Sequence, residues 1–153
     1  MNYQEFFSQL KTRIDLQNNQ MEFESISSYD QNNSPSKIIC SIVNFEEDRN
    51  RRNRVSIRRH DEENALPEPF PAFYLLFASH SQNSMDYVSG IRTLSEINAF
   101  FHGNPIIDIS DGTNPHKKLL ALWVSLNWEQ QFYLWKSLGV RQLPYFLYKF
   151  SEI

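Results

Sequence analysis

The sequence predicts an α+β fold: a mixed, mostly antiparallel sheet packed with an N-terminal helix, a long central helix and a short C-terminal helix. Three observations carry this. Helical and strand periodicities follow one another as helix, strands, helix, strand, helix, strand, without the regular alternation of a doubly wound parallel sheet. The run Ala72–Ser79 (AFYLLFAS) is apolar at both parities, Phe73, Leu75 and Phe77 against Tyr74, Leu76 and Ala78. A strand of that kind is central and covered on both sides. A long helix then follows, Ser84–His102, with Tyr87, Ile91, Leu94, Ile97 or Asn98, and Phe101 as its apolar stripe.

The remaining elements are read in order. Residues Met1–Gln17 place Tyr3, Phe6, Phe7, Leu10 and Ile14 on one side of a helix. Met21–Ser28 (MEFESISS) alternates as a half-exposed strand. Tyr29–Ser36 is a loop by its Asp, Asn, Ser and Pro content. Lys37–Phe45 is a second apolar strand, expected beside Ala72–Ser79. In the central helix, Ser84 is the expected cap with Asp86 in the first turn, and Gly103 and Pro105 stop it. Pro105–Ser110 is a short strand, Asp111–Pro115 a turn, and Lys117–Leu126 a further strand. Asn127 caps a helix over Trp128–Leu138, with Gln130 placed to complete a capping box. Trp128, Phe132, Trp135 and Leu138 form its expected core stripe, and Gly139 ends it. Leu143–Phe150 closes the chain as a strand, and Pro144 suits a strand start or an edge.

Composition bounds the function. The 153 residues predict a single domain over 1–153, and 41% hydrophobic with 14% aromatic content is enough for a core. No run of about 18 apolar residues exists, so no membrane insertion is expected. The N-terminus lacks the order of a signal peptide. Cys40, the sole cysteine, lies in an apolar run and reads as a buried reduced thiol, which fits folding in the cytoplasm. A net charge of -3 argues against nucleic acid as a partner.

Catalytic chemistry is not legible. The four glycines do not cluster into a phosphate loop, and His60, His80, His102 and His116 have no zinc-ligand spacing, so no cofactor or metal is expected. His60-Asp61-Glu62 reads as a solvated group. Asp108 and Asp111 flank Ser110 before a turn. Turn capping is simpler than acid–base work there, because paired carboxylates need a pocket that separates their pKa values.

Two stretches point to protein contacts. Glu46–Leu66 holds six of the nine arginines, Arg49, Arg51, Arg52, Arg54, Arg58 and Arg59, bracketed by acids and without aromatics for base stacking. It is a solvated connection or a docking loop. The closing strand carries Tyr145, Phe146, Tyr148 and Phe150. Both its faces are not expected to be buried, and an exposed aromatic edge strand signals a partner.

The chain resembles a known family on a series of residues: Val43-Asn44-Phe45-Glu46-Glu47-Asp48 leading to Arg52-Asn53, a proline-rich lead into Phe73–Phe77, Ile97–Phe101 before Asn104-Pro105, Leu134–Gly139, and Leu143–Lys149. These are similar to the N-terminal domain family of cap, or tail-terminator, proteins of phage-tail-like contractile injection systems of the antifeeding-prophage type. The resemblance covers nearly the whole chain. It implies a non-enzymatic structural protein forming a ring, a homo-hexamer, on the baseplate-distal end of tube and sheath. The interface residues expected are the six arginines with Tyr145, Phe146, Tyr148 and Phe150. The alternative reading is a soluble adaptor module that uses the aromatic edge strand on one partner.

Overall fold

The computed structural model describes residues 2–14, 21–48, 71–111 and 114–153. The order is α1 (Tyr3–Ile14), β1 (Met21–Phe23), β2 (Lys37–Glu46), β3 (Ala72–His80), α2 (Ser84–Gly103), β4 (Ile106–Asp111), β5 (Asn114–Trp123), α3 (Trp128–Leu138) and β6 (Tyr145–Glu152). The six strands form one sheet in the order β1-β2-β3-β6-β5-β4. Only β1 and β2 are parallel. The fold is therefore α+β on a mixed, mostly antiparallel sheet, with the three expected helices.

The sheet is covered unequally on its two sides. On one side Phe6, Leu10 and Ile14 of α1 and Leu94, Ile97 and Phe101 of α2 pack on Phe73, Leu75, Phe77, Tyr148 and Phe150. Phe73 and Phe150 stack at 5.2 Å between ring centres, and Phe6 meets both rings edge-on. On the other side Trp135 of α3, with Ile26 and Tyr29 from the β1–β2 connection, packs on Ile39, Leu76, Ala78 and Leu147. The even and odd residues of β3 thus enter different cores, which is why that strand is apolar at both parities.

Local chemistry sets most element ends. Asn127 and Gln130 form the expected reciprocal capping box at α3, and Gly139 closes that helix at φ 73°. At α2 the cap is Asn83, not Ser84. The Asn83 side chain accepts the Asp86 N–H at 2.9 Å, and Ser84 is already helical. The strand expected over Met21–Ser28 stops at Phe23. Beyond it the chain turns inward, burying Ile26, whose N–H donates to Ser41 Oγ at 3.1 Å. β5 runs from Asn114 to Trp123 rather than to Leu126. Cys40 is buried, as expected, and burial pushes its thiol pKa well up.

The main correction concerns the last strand. β6 is an interior strand, paired antiparallel with β3 on one side and β5 on the other. The outer strands are β1 and β4. Tyr148 and Phe150 are core residues, and Tyr145 and Phe146 are half-buried. The edges of β6 are paired because it sits mid-sheet, and its faces are covered by α1 and α2 on one side and α3 on the other.

Candidate interaction surface

The two stretches singled out in the sequence fare differently. Arg49, Arg51, Arg52, Arg54, Arg58 and Arg59 lie outside the described residues. The β6 aromatics make contacts within the chain. Tyr145 meets Trp135 edge-on at 5.4 Å, Phe146 meets Trp123 at 5.7 Å, and Tyr148 meets Phe101 at 4.6 Å. Tyr148 also donates a hydrogen bond to Asn98 Oδ1, tying β6 to α2. An interior strand has no free backbone edge, so β6 cannot add to a neighbour's sheet in this fold.

An exposed aromatic group is carried by α3, besides Trp123 next to Phe146. The stripe Trp128, Phe132, Trp135, Leu138 reaches the core only at Trp135, with Leu138 half-buried. Trp128 is 82% exposed, Phe132 60% and Tyr133 60%. The face that turns inward carries Gln131, Leu134, Trp135 and Leu138. Packing of Leu134, Trp135 and Leu138 on the sheet sets the rotation, and the Gln131 side chain fits it. Its Nε2 donates to the Leu126 carbonyl at 3.1 Å, and its Oε1 accepts from Gln142 Nε2 at 3.1 Å, so it bridges the segments on either side of α3. Apolar spacing alone points to the aromatic flank, because it counts rings and not the packing of the other flank on the sheet. Phe132 and Tyr133 contact each other edge-on at 5.8 Å, and Lys136 Nζ lies 5.7 Å from the Phe132 ring centre.

A second exposed apolar group lies at the start of α2. Tyr87 was expected in the stripe facing the sheet, but the buried residues of that helix are Leu94, Ile97 and Phe101. Met85, Tyr87 and Val88 are exposed. The first turn is anchored by its polar side. Asp86 accepts from Ser36 Oγ at 2.6 Å, and Ser36 Oγ in turn accepts the Gln82 N–H at 2.9 Å.

Charged groups on the sheet are tied into the fold. Glu46 pairs with Lys149 and accepts from Tyr74 Oη at 2.9 Å, joining β2, β3 and β6. The bond to Glu46 raises the Lys149 pKa; burial, and then Glu46, raise that of Tyr74. Asp108 is exposed and stands opposite Lys118 in the β4–β5 ladder. Among the described residues no three His, Cys, Asp or Glu side chains gather as metal ligands, and no helix is long and apolar enough to cross a membrane.

The described surface thus carries two apolar patches, on helices that cover opposite sides of one sheet. A solved structure has the same fold: the PVC sheath/tube terminator in its extended state, from the cryo-EM structure of an extracellular contractile injection system. Its TM-score to this chain is 0.59 at 12% identity, over 99% of this chain and 55% of that one. The chain therefore spans about half the length of that terminator. No curated protein matches. The family model of the Pvc16 N-terminal domain matches residues 5–153, and the chain belongs to that family.

Proposed function

We propose that this domain is a terminator of a contractile injection particle, a non-enzymatic structural part that caps the end of tube and sheath. The observation that carries this is the match of the Pvc16 N-terminal domain over residues 5–153, on the fold of a PVC sheath/tube terminator. The partners are further copies of the chain, in a ring of six as the resemblance implies, and the tube and sheath subunits. Arg49, Arg51, Arg52, Arg54, Arg58 and Arg59 are the proposed docking charges toward acidic groups on those subunits, because guanidinium forks bind carboxylates in pairs. The adaptor alternative rested on an exposed β6, and its interior position removes that basis.

Particle length is the direct test. Cells that make the particle and lack this chain should yield tubes of uncontrolled length or no stable particles, seen by negative-stain microscopy. Replacing the six arginines by glutamate should reproduce that defect, and the variant should be missing from purified particles. Particles of unchanged length without the chain would overturn the reading.

A further inference from the structure

We propose that the aromatic flank of α3 in one copy seats on the exposed start of α2 in the next copy, making a head-to-tail contact between identical chains. At the start of α2, Met85 is 85% exposed, Val88 68% and Tyr87 51%. Met85 and Val88 are three residues apart and share one helix face. The α3 patch is Trp128, Phe132 and Tyr133. The two patches lie on helices that cover opposite sides of the sheet, so one molecule cannot bring its own pair together.

Area decides that these are more than scattered exposed residues. Aromatic side chains of about 150–250 Å² each, at the exposures given, leave roughly 300–500 Å² open on α3. On α2 the face shared by Met85 and Val88 adds a smaller area, because Tyr87 projects about 160° away from Met85 around the helix. Together they approach the apolar share of a standard interface, which buries about 1,200–2,000 Å² in total, of which about 56–58% is non-polar. Single exposed apolar residues are ordinary, whereas a patch of this size matches the largest on a typical monomer, which is often functional.

Chemistry and charge match across the pair. A flexible thioether fits against aromatic rings. Arg92 and Glu96 follow the α2 patch, 3.5 Å apart, and Glu129 and Lys136 flank the α3 patch. With the two helices side by side in opposite directions and Val88 level with Phe132, Arg92 comes level with Trp128 and beside Glu129. Pairing α3 with α3, or α2 with α2, leaves the other patch in water. Joining α2 to α3 covers both, and a contact between two different patches closes into a ring or runs on as a filament. Closure into a ring rests on the terminator reading; the contact itself does not.

Cross-linking tests it. Cys40 is buried, so cysteines introduced at exposed Val88 and Phe132 report alone. An affinity-tagged Val88→Cys chain is mixed with an untagged Phe132→Cys chain and oxidised, alone and with tube and sheath subunits present. The expected main product is the mixed 88–132 dimer, which disappears when Trp128→Ser is added to the Phe132→Cys chain and Met85→Ser to the Val88→Cys chain. Circular dichroism checks that each variant is folded. Predominant 88–88 or 132–132 dimers, or no mixed dimer under either condition, overturn the proposal. A mixed dimer together with unchanged particle length in cells lacking the chain keeps the contact and rejects the terminator.

Discussion

Gly90 lets α2 come close to the sheet at Ser79. A Cβ placed there would lie 2.1 Å from Ser79 Oγ and 3.3 Å from Ser79 Cβ. Ser79 is buried in β3, and any shift of its hydroxyl must be found inside the core. Gly90→Ala is therefore expected to lower stability by about 1–3 kcal/mol, the range for overpacking a filled site. Urea denaturation measures it. In a Ser79→Ala background the same change should cost clearly less, because the colliding oxygen is gone. Strictly additive effects would show that the collision is not the cause. Only the folded chain brings these two positions together, since nothing in the local pattern around Gly90 names Ser79 as its neighbour.

At the scale of an element, α3 shows how a helix can be located from its sequence and still be misoriented. Its ends are written locally: an asparagine with glutamine three residues on, and a glycine at the far end. Its rotation about its own axis follows from Trp135, Leu134 and Leu138 packing on the sheet, with Gln131 bonded to Leu126 and Gln142 beside them. The consequence is measurable. Trp135→Ala should cost about 3–5 kcal/mol, as for a large buried side chain. Trp128→Ser and Phe132→Ser should each fall within about 0.5 kcal/mol of the parent, as exposed positions do. Comparable losses at all three would mean that the aromatic flank faces the sheet after all. The β6 strand carries a related lesson. Its composition announces a strand, and its buried aromatics were legible as apolar. Its place between β3 and β5 comes from pairing with residues about 70 positions earlier at Phe73–Ala78, and pairing over that separation leaves no local mark.

The molecule as a whole couples its core to alkaline pH through Tyr148 and Lys37. Burial pushes the Tyr148 pKa from 10.0 up to about 12. An unfolded chain therefore loses that proton first, and stability falls as pH rises from 10 toward 12. Burial works against the charge of Lys37, but the Glu24 and Glu22 carboxylates outweigh it and raise its pKa above 10.5. A cation held that way stabilises the fold fully below its unfolded pKa and loses the effect as pH climbs through the folded one. Both groups act in the same direction. Thermal unfolding midpoints should drop above pH 10, and Tyr148→Phe should flatten part of that drop. The variant should also be less stable at neutral pH by about 1 kcal/mol, since Asn98 Oδ1 loses its donor. An equally steep decline in Tyr148→Phe would exclude Tyr148 as its source.

Across the whole chain, the fold class, the three helices, the burial of Cys40, the central place of β3 and the family were all readable beforehand. Each rests on information held within a short window: periodicity, capping residues, an apolar run, or an ordered series of motifs. The order of strands in the sheet, the interior seat of β6, the cap at Asn83 and the outward face of α3 were not. Each of these is a choice among local options of similar energy, settled by contacts between residues far apart in the chain. The surface left open for partners is what remains after those choices are made, and so it became visible only in the folded molecule.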